Sequence, residues 1–516
     1  MPVTPVQPFD QTRILRDSSG ICHYLDRPTS LVAALRATTQ RVPTAEALHE
    51  VGGRTLTYTQ LWDAAARVAG GLAQRGVHRG DRVAVSHGNS IEWCVAFFGT
   101  LLAGGVVIPL NTALTGPERE HIITDSQAVL TLTTGDPLPE GPPRHCDDLT
   151  PDDVAAIFYT SGTTGAPKGA TMTHRNFLAN NETVRRVAGF PHHAEGIRHF
   201  VAAPLSTVTA ANSQLLPMCE LGGTTVILPA FTPATFLAGI AETRPTVLVG
   251  SPAVFRMTLN HPDFPGTDTT SVRLAVYGAA PASPEFLGAM SAAFPTARVE
   301  AAFGLTEVAS VATYLPYEYT DAAPGSVGYA APVVDLDLLD VDDATGVGEL
   351  MVRGPNVVPG YWRSPEATAA AFVGGWLRTG DLARITDTGL VYIVDRKKDV
   401  INRGGANVYS VEVENALVLH PDVAEVAVLG VPDAVLGERV GAVLVGVDGR
   451  PFDPVAVVAA AATRLAAYKL PEFVCVRQEP LPRNASAKVV KPGLRASTEW
   501  VPLPRAATRV QAQVAP

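Results

Sequence analysis

The feature that most constrains the fold is an uncharged run of 18 residues, Trp93 to Leu110. A run of this length lies at the lower limit of what crosses a membrane. Gly104, Gly105 and Pro109 interrupt it, however, and its second half is rich in β-branched residues. The run therefore predicts a buried helix that ends at glycine, followed by a buried strand, and no membrane span.

Helices and short strands are predicted to alternate through the first two thirds of the chain. Apolar residues between Tyr58 and Val77 recur at spacings of four, three and four, which predicts an amphipathic helix. A second helix is predicted to begin near Ser90. The buried strands that follow are predicted at Val154–Tyr159, Thr225–Leu228, Thr246–Val249 and Leu274–Tyr277. Such alternation favours a layered α/β body.

Past Gly325 the pattern changes to β-rich segments. A small β unit is predicted from Asp335–Asp340, Glu349–Arg353 and Leu390–Val394. Next come two helices and three strands, predicted at Val411–Leu419, Glu425–Leu429, Val440–Val447, Val455–Ala467 and Glu472–Val476. The sequence thus predicts a large N-terminal body with a small β unit (residues 1–397), a smaller α+β C-terminal domain (398–497) and a frayed tail (498–516).

Charge and cysteine content exclude several classes of protein. The net charge is −10 without a dense Lys/Arg run, which disfavours nucleic-acid binding. An apolar share of 46% excludes a disordered chain. The five cysteines are scattered and form no Cys-x-x-Cys pair, which indicates a reducing compartment and no zinc site. With no secretory signal pattern at the start, we expect a cytoplasmic protein.

The strongest chemical signal is the segment Tyr159–Gly169, which follows an apolar strand. It contains three glycines, four Ser or Thr residues and Lys168. Glycines let backbone N–H groups approach an anion, and the hydroxyls and the lysine add donors, so we predict a phosphate-binding loop. It is not a Walker A loop, because no Gly-Lys-Ser/Thr stands at the required spacing. A flexible linker is disfavoured, because linkers have no reason to follow a buried strand.

Weaker signals lie further along the chain. In Phe303–Glu307, an aromatic ring can stack on a base, Thr306 can bind a phosphate and Glu307 can hold Mg²⁺. In Thr379–Asp381 the carboxylate can accept both hydroxyls of a ribose. Taken alone, these segments are equally typical of a strand end and a turn. Three further residues, each also consistent with a solvated surface position, are Arg396, Lys398 and Lys488.

In order and spacing, these segments resemble the adenylate-forming superfamily: acyl-CoA synthetases, nonribosomal-peptide adenylation domains and beetle luciferases. The resemblance runs from about Pro28 to Arg495. The segments that carry it are Tyr159–Gly169, Tyr277–Pro281, Phe303–Glu307, Gly348–Trp362, Trp376–Asp381, Asp395–Glu414 and Pro482–Lys488. It implies an enzyme that makes an acyl-adenylate from a carboxylic acid and MgATP and then transfers the acyl group to a thiol. The implied cofactors are ATP, Mg²⁺ and CoA.

The resemblance also implies a role for individual residues. The phosphates of ATP would be held by Thr160, Ser161, Gly162, Thr163, Thr164, Gly165 and Lys168. The adenine would lie between Gly278, Ala279, Ala280 and Phe303, and the ribose would be bound by Asp381 and Arg396. The catalytic residues would be Thr306 at the α-phosphate, Glu307 on Mg²⁺, and Lys488 between the carboxylate and the α-phosphate. The thiol would reach the acyl carbon past Gly404 and Gly405.

This chemistry has its own physical logic. A carboxylate that attacks a phosphate brings two anions together, so cations are needed where charge accumulates. No general base is required, because a carboxylate is already ionised at neutral pH. The second step needs a thiol at the same carbon, which is a reason for a mobile C-terminal domain. Lys398 matches the hinge position of the family.

Three positions depart from the common synthetase pattern. Ser206 and Thr207 stand where many members have an aromatic residue and then a histidine, Ala406 stands where many have glutamate, and Ala487 replaces a glycine before Lys488. The predicted acyl-pocket residues are small: Ser206, Thr207, Ala210, Ala279, Ala280, Ala301 and Ala302. They favour a bulky acid, aromatic or polycyclic, over acetate, unless larger side chains fill the space.

The sequence therefore predicts an AMP-forming acid–CoA ligase that acts on small-molecule acids. One alternative is a half-reaction enzyme that only thioesterifies a supplied acyl-adenylate, which Ala406 and Ala487 motivate. A second is a ligase that loads an acyl carrier protein, and a third is a non-catalytic nucleotide sensor. The intact Glu307, Lys488 and phosphate loop disfavour the sensor. A homodimer is left open.

Overall fold

The structure is a computed structural model, and it describes residues 6–160, 167–278, 282–447, 450, 452–484 and 489–504. The α-helices are α1 (Leu31–Arg41), α2 (Tyr58–Gln74), α3 (Ile91–Leu102), α4 (Gly116–Ser126), α5 (His174–Val187), α6 (Val208–Ala210), α7 (Leu216–Leu221), α8 (Pro233–Thr243), α9 (Pro252–Leu259), α10 (Pro284–Ala293), α11 (Tyr317–Thr320), α12 (Pro365–Ala371), α13 (Ser410–Leu417), α14 (Pro454–Ala461) and α15 (Lys491–Ser497). Ala211–Leu215 is a π-helical turn, and 3₁₀ turns lie at Phe264–Gly266, Thr306–Val308 and Ala467–Lys469.

The strands are β1 (Ile14–Arg16), β2 (Cys22–Tyr24), β3 (Glu46–Glu50), β4 (Thr55–Thr57), β5 (Arg82–Ser86), β6 (Val106–Pro109), β7 (Leu130–Thr133), β8 (Val154–Thr160), β9 (Lys168–Thr173), β10 (Arg198–Val201), β11 (Thr224–Ile227), β12 (Val247–Gly250), β13 (Leu274–Gly278), β14 (Arg298–Phe303), β15 (Thr313–Leu315), β16 (Tyr329–Ala330), β17 (Asp335–Leu339), β18 (Gly348–Arg353), β19 (Phe372–Val373), β20 (Trp376–Ile385), β21 (Val391–Arg396), β22 (Ile401–Arg403), β23 (Ala406–Val408), β24 (Val423–Asp433), β25 (Gly437–Gly446), β26 (Phe473–Arg477) and β27 (Val501–Pro502).

The uncharged run forms a buried helix and a buried strand, as predicted. Ser90 caps α3 by accepting a hydrogen bond from the backbone N–H of Trp93 at 3.1 Å. Gly104, at φ +77°, ends the helix, and β6 then pairs in parallel with β5. Within the described part of the chain, no helix combines the length and the apolar character that a membrane crossing requires.

Two sheets form the core of the large N-terminal body. One has the strand order β7-β5-β6-β8-β9, and the larger has the order β16-β15-β14-β13-β12-β10-β11-β3-β4. From β11 to β14, neighbouring strands of the larger sheet are parallel, and helices cover the sheet. Because parallel strands present their carboxyl ends at one edge, the ends of β13 and β14 lie side by side.

A small antiparallel sheet follows, with the order β17-β18-β20-β19 and with β21 paired to β20. It has its own buried apolar cluster, which includes Leu350, Val352 and Leu377. The predicted β unit is therefore confirmed. Its last hairpin pairs Asp381 of β20 with Arg396 of β21, which brings together two residues separated in the sequence.

The last sheet, β23-β22-β25-β26-β27 with β24 paired to β25, begins after β21. Together with α13 and α14 it encloses a separate buried cluster. These sheets confirm the predicted fold class, a large α/β body and a smaller α+β unit. The boundary between residues 397 and 398 and the mobility of the smaller unit remain predictions.

Two predictions for the C-terminal unit were wrong in extent. The helix predicted to reach Ala467 ends at Ala461, and a separate 3₁₀ turn follows at Ala467–Lys469. The tail predicted from residue 498 includes β27, whose Val501 pairs with Val474 of β26. Trp500 explains that pairing, because it packs on a buried apolar cluster, and an apolar anchor holds a chain end in place.

Candidate active site

The predicted phosphate loop joins two antiparallel strands. Thr160 at the end of β8 lies opposite Lys168 at the start of β9, and its hydroxyl donates to the Lys168 carbonyl at 3.4 Å. The other predicted residues of this loop lie outside the described residues: Ser161, Gly162, Thr163, Thr164 and Gly165. The hairpin thus places the two ends of the loop, and with them Lys168, at one edge of the sheet.

A segment that contains Tyr361 runs along the outer side of β9. The backbone N–H of Trp362 donates to the Gly169 carbonyl at 2.7 Å, and that of Thr171 donates to the Gly360 carbonyl at 3.0 Å. Lys168 Nζ lies 5.4 Å from the centroid of the Tyr361 ring, within the range of a cation–π contact. The pairing therefore brings an aromatic ring beside the lysine of the phosphate loop.

Tyr361 also reaches the predicted metal ligand. Its hydroxyl donates to Glu307 Oε1 at 2.8 Å. Burial, and then the neighbouring Glu307 carboxylate, raise the pKa of Tyr361, so the hydroxyl stays protonated as the donor. Lys168, Tyr361 and Glu307 form one connected group. The sequence analysis placed Tyr361 in a family segment, Gly348–Trp362, but assigned it no role.

Glu307 lies on a tight loop that follows β14. A Cβ on Gly304 would lie 1.4 Å from the Ser310 carbonyl oxygen, so only glycine fits at this position. Ala309 and Ser310 have φ values of +52° and +125°, which non-glycine residues seldom adopt. Such strain persists only where the surroundings over-determine the backbone.

Buried amides hold this loop in place. Asn356 Nδ2 donates at 3.0 Å to the carbonyls of both Val308 and Val311. Asn180 Oδ1 accepts from the Val311 N–H at 3.0 Å. From the π-helical turn, Asn212 donates to the Ala309 carbonyl. Sequence reasoning missed these asparagines, and only Asn356 carried a signal, because it belongs to a family segment.

The residues around Glu307 fit a magnesium ion. Mg²⁺ is usually bound through one or two carboxylates together with the phosphates of its substrate, not in an all-protein site. Glu307 supplies one partly exposed carboxylate on the same side as Lys168. Among the described residues, no three His, Cys, Asp or Glu side chains come together in a way that could hold a metal. The donors match a metal shared with ATP.

Gly278 and Phe303, predicted to contact adenine, end the parallel strands β13 and β14. A Cβ on Gly278 would lie 2.7 Å from the Ala302 carbonyl oxygen, so glycine permits the close approach of the strands. Phe303 is partly buried. Ala279 and Ala280 lie outside the described residues. The two described adenine residues are therefore neighbours at the carboxyl edge of the sheet.

The predicted ribose residues form an ion pair, with Arg396 Nε 2.6 Å from Asp381 Oδ1. Asp381 is buried, whereas about half of the Arg396 side chain is exposed. A neighbouring ion pair joins Lys397 Nζ to Glu349 at 2.9 Å. The structure thus brings together Asp381 and Arg396 as predicted, with the charged guanidinium at the surface.

The predicted acyl-pocket residues divide into two groups. Ser206 and Thr207 are partly exposed in the turn before α6, where the Thr207 hydroxyl donates to the Pro204 carbonyl at 2.7 Å, and Ala302 is also partly exposed. Ala210 and Ala301 are at most 1% exposed and belong to apolar core clusters. Those two alanines present almost no surface to a ligand, since a small residue suits a tight core as well as a pocket.

Gly404 and Gly405, predicted for the thiol channel, form the two-residue turn between β22 and β23. Their φ values are +60° and +88°, as a type I′ hairpin turn requires. The turn and the following Ala406 are exposed. Lys488 and Ala487 lie outside the described residues.

The predicted hinge residue Lys398 follows a buried contact between β21 and the C-terminal unit. Asp395 accepts hydrogen bonds from the backbone N–H and, at 3.1 Å, the hydroxyl of Ser410. Lys491 Nζ donates to the same hydroxyl at 2.8 Å. Burial raises the pKa of Asp395 and lowers the pKa of Lys398. One buried carboxylate therefore joins the two units next to the hinge position.

Comparison with known proteins identifies the family of the chain. The sequence model of the AMP-binding enzyme family matches residues 35–148 and 134–362, and that of the AMP-binding enzyme C-terminal domain matches residues 412–488. Feruloyl-CoA synthase from Amycolatopsis sp is 36% identical over an alignment of 468 residues, and the match covers 86% of this chain and 94% of that protein. A long-chain-fatty-acid–CoA ligase from Bacillus subtilis is 31% identical, covering 92% and 95%.

A solved structure is similar over almost the same length. It is O-succinylbenzoate coenzyme A synthetase from Bacillus subtilis in complex with ATP and magnesium ion, at 29% identity and a TM-score of 0.81. The match covers 90% of this chain and 99% of that one. These findings confirm the resemblance, the enzyme class and the predicted cofactors ATP, Mg²⁺ and CoA. The chain belongs to the AMP-binding enzyme family, and it is an acyl-CoA ligase of the adenylate-forming type.

Proposed function

We propose that this ligase activates a bulky carboxylic acid with an aromatic ring as its acyl-adenylate and then transfers the acyl group to CoA. The observation that carries the proposal is the small size of three partly exposed side chains on segments that line the acyl pocket in similar proteins. Ser206 and Thr207 precede α6, where a large ring would otherwise narrow the space. Ala302 adds a third small side chain at the end of β14.

The π-helical turn extends this surface towards Glu307. The hydroxyl of Ser213, in that turn, donates to the hydroxyl of Ser310 at 2.7 Å. Ser213 is small, polar and partly exposed, so it leaves volume and offers a hydrogen-bonding group to a substituted ring, whereas Ser310 is buried. The adjacent Asn212–Ala309 bond fixes the distance between this turn and the catalytic loop. An acid held here would present its carboxylate towards Thr306 and Glu307.

Two of the similar proteins support a ring acid. Feruloyl-CoA synthase and O-succinylbenzoate coenzyme A synthetase are both named for aromatic acids. A long-chain-fatty-acid–CoA ligase is similar at 31% identity, however. An apolar pocket discriminates between acids mainly by buried area, which separates near analogues by only about 10–200-fold. A substrate panel must therefore include both classes.

The adenylation step depends on cations around the phosphates. Lys168 and the loop from Thr160 would neutralise the β- and γ-phosphates, and Thr306 would donate to the α-phosphate. Lys488 would lie between the attacking carboxylate and the α-phosphate, where two anions meet. A bound Mg²⁺ polarises the phosphoryl oxygens and stabilises the charge that develops there. Glu307 would hold the Mg²⁺ ion at one fixed place.

The remaining residues orient the nucleotide and permit the second step. Asp381 and Arg396 would bind the ribose, and Gly278 and Phe303 would enclose the adenine. Rotation of the C-terminal unit about Lys398 would then remove Lys488 and bring Gly404 and Gly405 to the acyl carbon. A thiol and a lysine cannot occupy the same place, so the two half-reactions need two arrangements.

The test is acid-dependent exchange of labelled pyrophosphate into ATP, without CoA, across short-chain, long-chain, aromatic and polycyclic acids. Exchange with ring acids at rates at least about tenfold above the rates with acetate and long-chain acids is the expected result. Efficient exchange with acetate or a fatty acid, and none with a ring acid, would contradict the proposal.

If no acid of the panel supports pyrophosphate exchange, a half-reaction enzyme is favoured, in line with Ala406 and Ala487. The next sample would then be a synthetic acyl-adenylate with CoA, and formation of the CoA ester would establish that activity. Transfer to a carrier protein's phosphopantetheine, but not to CoA, would identify the carrier-loading alternative. Binding of ATP that is never cleaved at the α-phosphate would identify a nucleotide sensor.

A further inference from the structure

Tyr361 contacts two residues of the nucleotide site at once. Its hydroxyl donates to Glu307 Oε1 at 2.8 Å, and its ring lies 5.4 Å from Lys168 Nζ. Glu307 and Lys168 lie at different sheets, since Glu307 is in the 3₁₀ turn after β14 of the larger sheet and Lys168 begins β9 of the other sheet. Tyr361 therefore connects the end of the larger sheet to the phosphate-loop hairpin.

The Tyr361 side chain is itself held on several sides. Its backbone N–H donates to Thr368 Oγ1 at 3.0 Å, and the next residue, Trp362, pairs with Gly169. The Tyr361 ring packs edge-on against Phe372, with 5.7 Å between the centroids. Because these contacts fix the ring, the position of the hydroxyl is fixed as well. The hydroxyl therefore sets the orientation of the Glu307 carboxylate.

The backbone of the same segment fixes Glu307 a second time. The N–H of Val358 donates to the carbonyl of Glu307 at 3.0 Å. The side chain and the main chain of Glu307 are thus both bound to residues 358–361. The hydroxyl occupies one lone pair of Oε1, which leaves Oε2 and the other lone pair of Oε1 to accept a metal.

We propose that Tyr361 is a positioning residue for the metal: its hydroxyl orients the Glu307 carboxylate towards Mg²⁺, and its ring seats Lys168 beside the phosphates. The proposal rests on the proposed roles of Glu307 and Lys168. A hydrogen bond to a metal-ligating carboxylate fixes its orientation, and loss of such a partner typically costs about 10–100-fold in metal affinity or activity. The hydroxyl and the ring should therefore have separable effects.

The test compares Tyr361→Phe, which keeps the ring, with Tyr361→Leu, which removes it. ATP binding is measured by titration calorimetry in EDTA and at a series of Mg²⁺ concentrations. This readout requires neither the acid nor turnover. The matched control is Tyr392→Phe, because the Tyr392 ring also lies under a cation, with Arg384 at 4.9 Å.

For Tyr361→Phe we expect unchanged ATP affinity in EDTA and a rise of about tenfold or more in the Mg²⁺ concentration that half-saturates the effect on ATP affinity. Tyr361→Leu should also weaken ATP binding in EDTA several-fold, because Lys168 loses its ring. Tyr392→Phe should match the wild type.

Glu307→Gln separates the two ways in which the proposal can fail. If Glu307→Gln raises the Mg²⁺ requirement and Tyr361→Phe does not, the positioning role is overturned while the metal site stands. If Glu307→Gln leaves the Mg²⁺ requirement unchanged, Glu307 is not the metal ligand, and both the assignment and the proposal are overturned.

Discussion

The proposed metal side of the site, around Glu307, and the proposed hinge side, around Lys398, are built from different kinds of contact. Around Glu307 the backbone itself is bonded: Asn356 holds two carbonyls of the loop, and Val358 holds the Glu307 carbonyl. Around Lys398 the contacts come from charged side chains, such as the Asp381–Arg396 and Glu349–Lys397 pairs. The first set of contacts lies in the core, whereas each ion pair of the second set has one partly exposed partner.

The difference suits what each side has to do. A metal and a triphosphate need donors held to within a fraction of an ångström, which buried backbone bonds provide. A hinge needs contacts that can be exchanged, and in both of these pairs the cation is partly exposed although the carboxylate is buried. In the Asp395–Ser410 contact both partners are buried, so it is the contact that should hold the present arrangement.

The largest change in the free energy of unfolding is expected when the side-chain amide of Asn356 is removed. Asn356→Leu leaves the carbonyls of Val308 and Val311 buried without their donor, which should lower the free energy of unfolding by roughly 2–4 kcal/mol. Pyrophosphate exchange should fall with it, because Glu307 lies on the same loop. Urea unfolding followed by fluorescence measures the first effect.

Asn260→Leu is the control, since Asn260 is exposed after α9. It should change the free energy of unfolding by less than about 0.5 kcal/mol. If both variants lose the same free energy of unfolding, the Asn356 hydrogen bonds do not stabilise the Glu307 loop.

The next effect is the pH dependence of stability, which should have opposite signs in the large N-terminal body and on the hinge side. His199 is buried in β10, and burial lowers its pKa to about 3. The unfolded chain takes up this proton below pH 6.5 and the folded chain does not, so stability is full above pH 6.5 and falls as the pH drops. His199→Leu should remove this loss, which amounts to roughly 2 kcal/mol by pH 5.

Unfolding free energies at pH 7.5 and pH 5 for wild type and His199→Leu check this expectation, with the exposed His193→Gln as control. On the hinge side the sign is opposite, because burial raises the pKa of both Asp395 and Glu414 and protonation relieves a buried charge. The same pH dependence in His199→Leu and wild type would refute the assignment of the acid sensitivity to His199.

A smaller effect is expected at the hinge contact. Asp395→Ala removes the acceptor of the Ser410 N–H and hydroxyl, which should weaken the local structure by about 1–2 kcal/mol. Tryptic cleavage at residues 396–398 should then be about 5–30-fold faster. Asp387→Ala, in the exposed turn between β20 and β21, is the control and should be cleaved at the wild-type rate. Unchanged cleavage in Asp395→Ala would show that the Asp381–Arg396 and Glu349–Lys397 ion pairs hold the hinge without the Asp395–Ser410 contact.

The smallest effect is expected at the hairpin turn of the C-terminal unit. Gly405→Ala meets no atom within 4 Å, so its cost is only that of φ +88°, about 1 kcal/mol. Thioester formation should slow, while pyrophosphate exchange stays at the wild-type rate. Gly288→Ala, which also meets no atom within 4 Å but lies in α10, should not slow either step. A loss of exchange in Gly405→Ala would place the turn in the first half-reaction.

Much of the fold was predictable, because its elements are encoded locally. Periodicity and capping predicted α2 and α3, and apolar runs predicted the buried strands. The extra strand at Val501 was missed, because a two-residue strand carries no pattern of its own and depends on its partner. Ala210 and Ala301 were assigned to a pocket for a similar reason: side-chain size says nothing about which neighbours a residue has.

The candidate site likewise combines residues that local sequence predicts with residues whose partners are distant in the chain. The phosphate loop, Phe303–Glu307 and Asp381 could be predicted because each segment carries its chemistry in consecutive residues. Tyr361 lies 54 residues from the carboxylate to which it donates, and Asn212 lies 97 residues from its carbonyl partner. Neither residue type predicts such a role, since Tyr and Asn are common in strands and caps.

The sequence by itself determined the class of enzyme and the charged groups, because ATP chemistry requires particular residue types close together in the chain. Only the tertiary structure decided which groups hold Glu307 and Lys168 in place. Those contacts join loops from separate sheets, and their existence depends on how the sheets pack. The same packing placed the strained Ala309 and Ser310 against the π-helical turn, where buried hydrogen bonds offset a backbone conformation that no local preference would select.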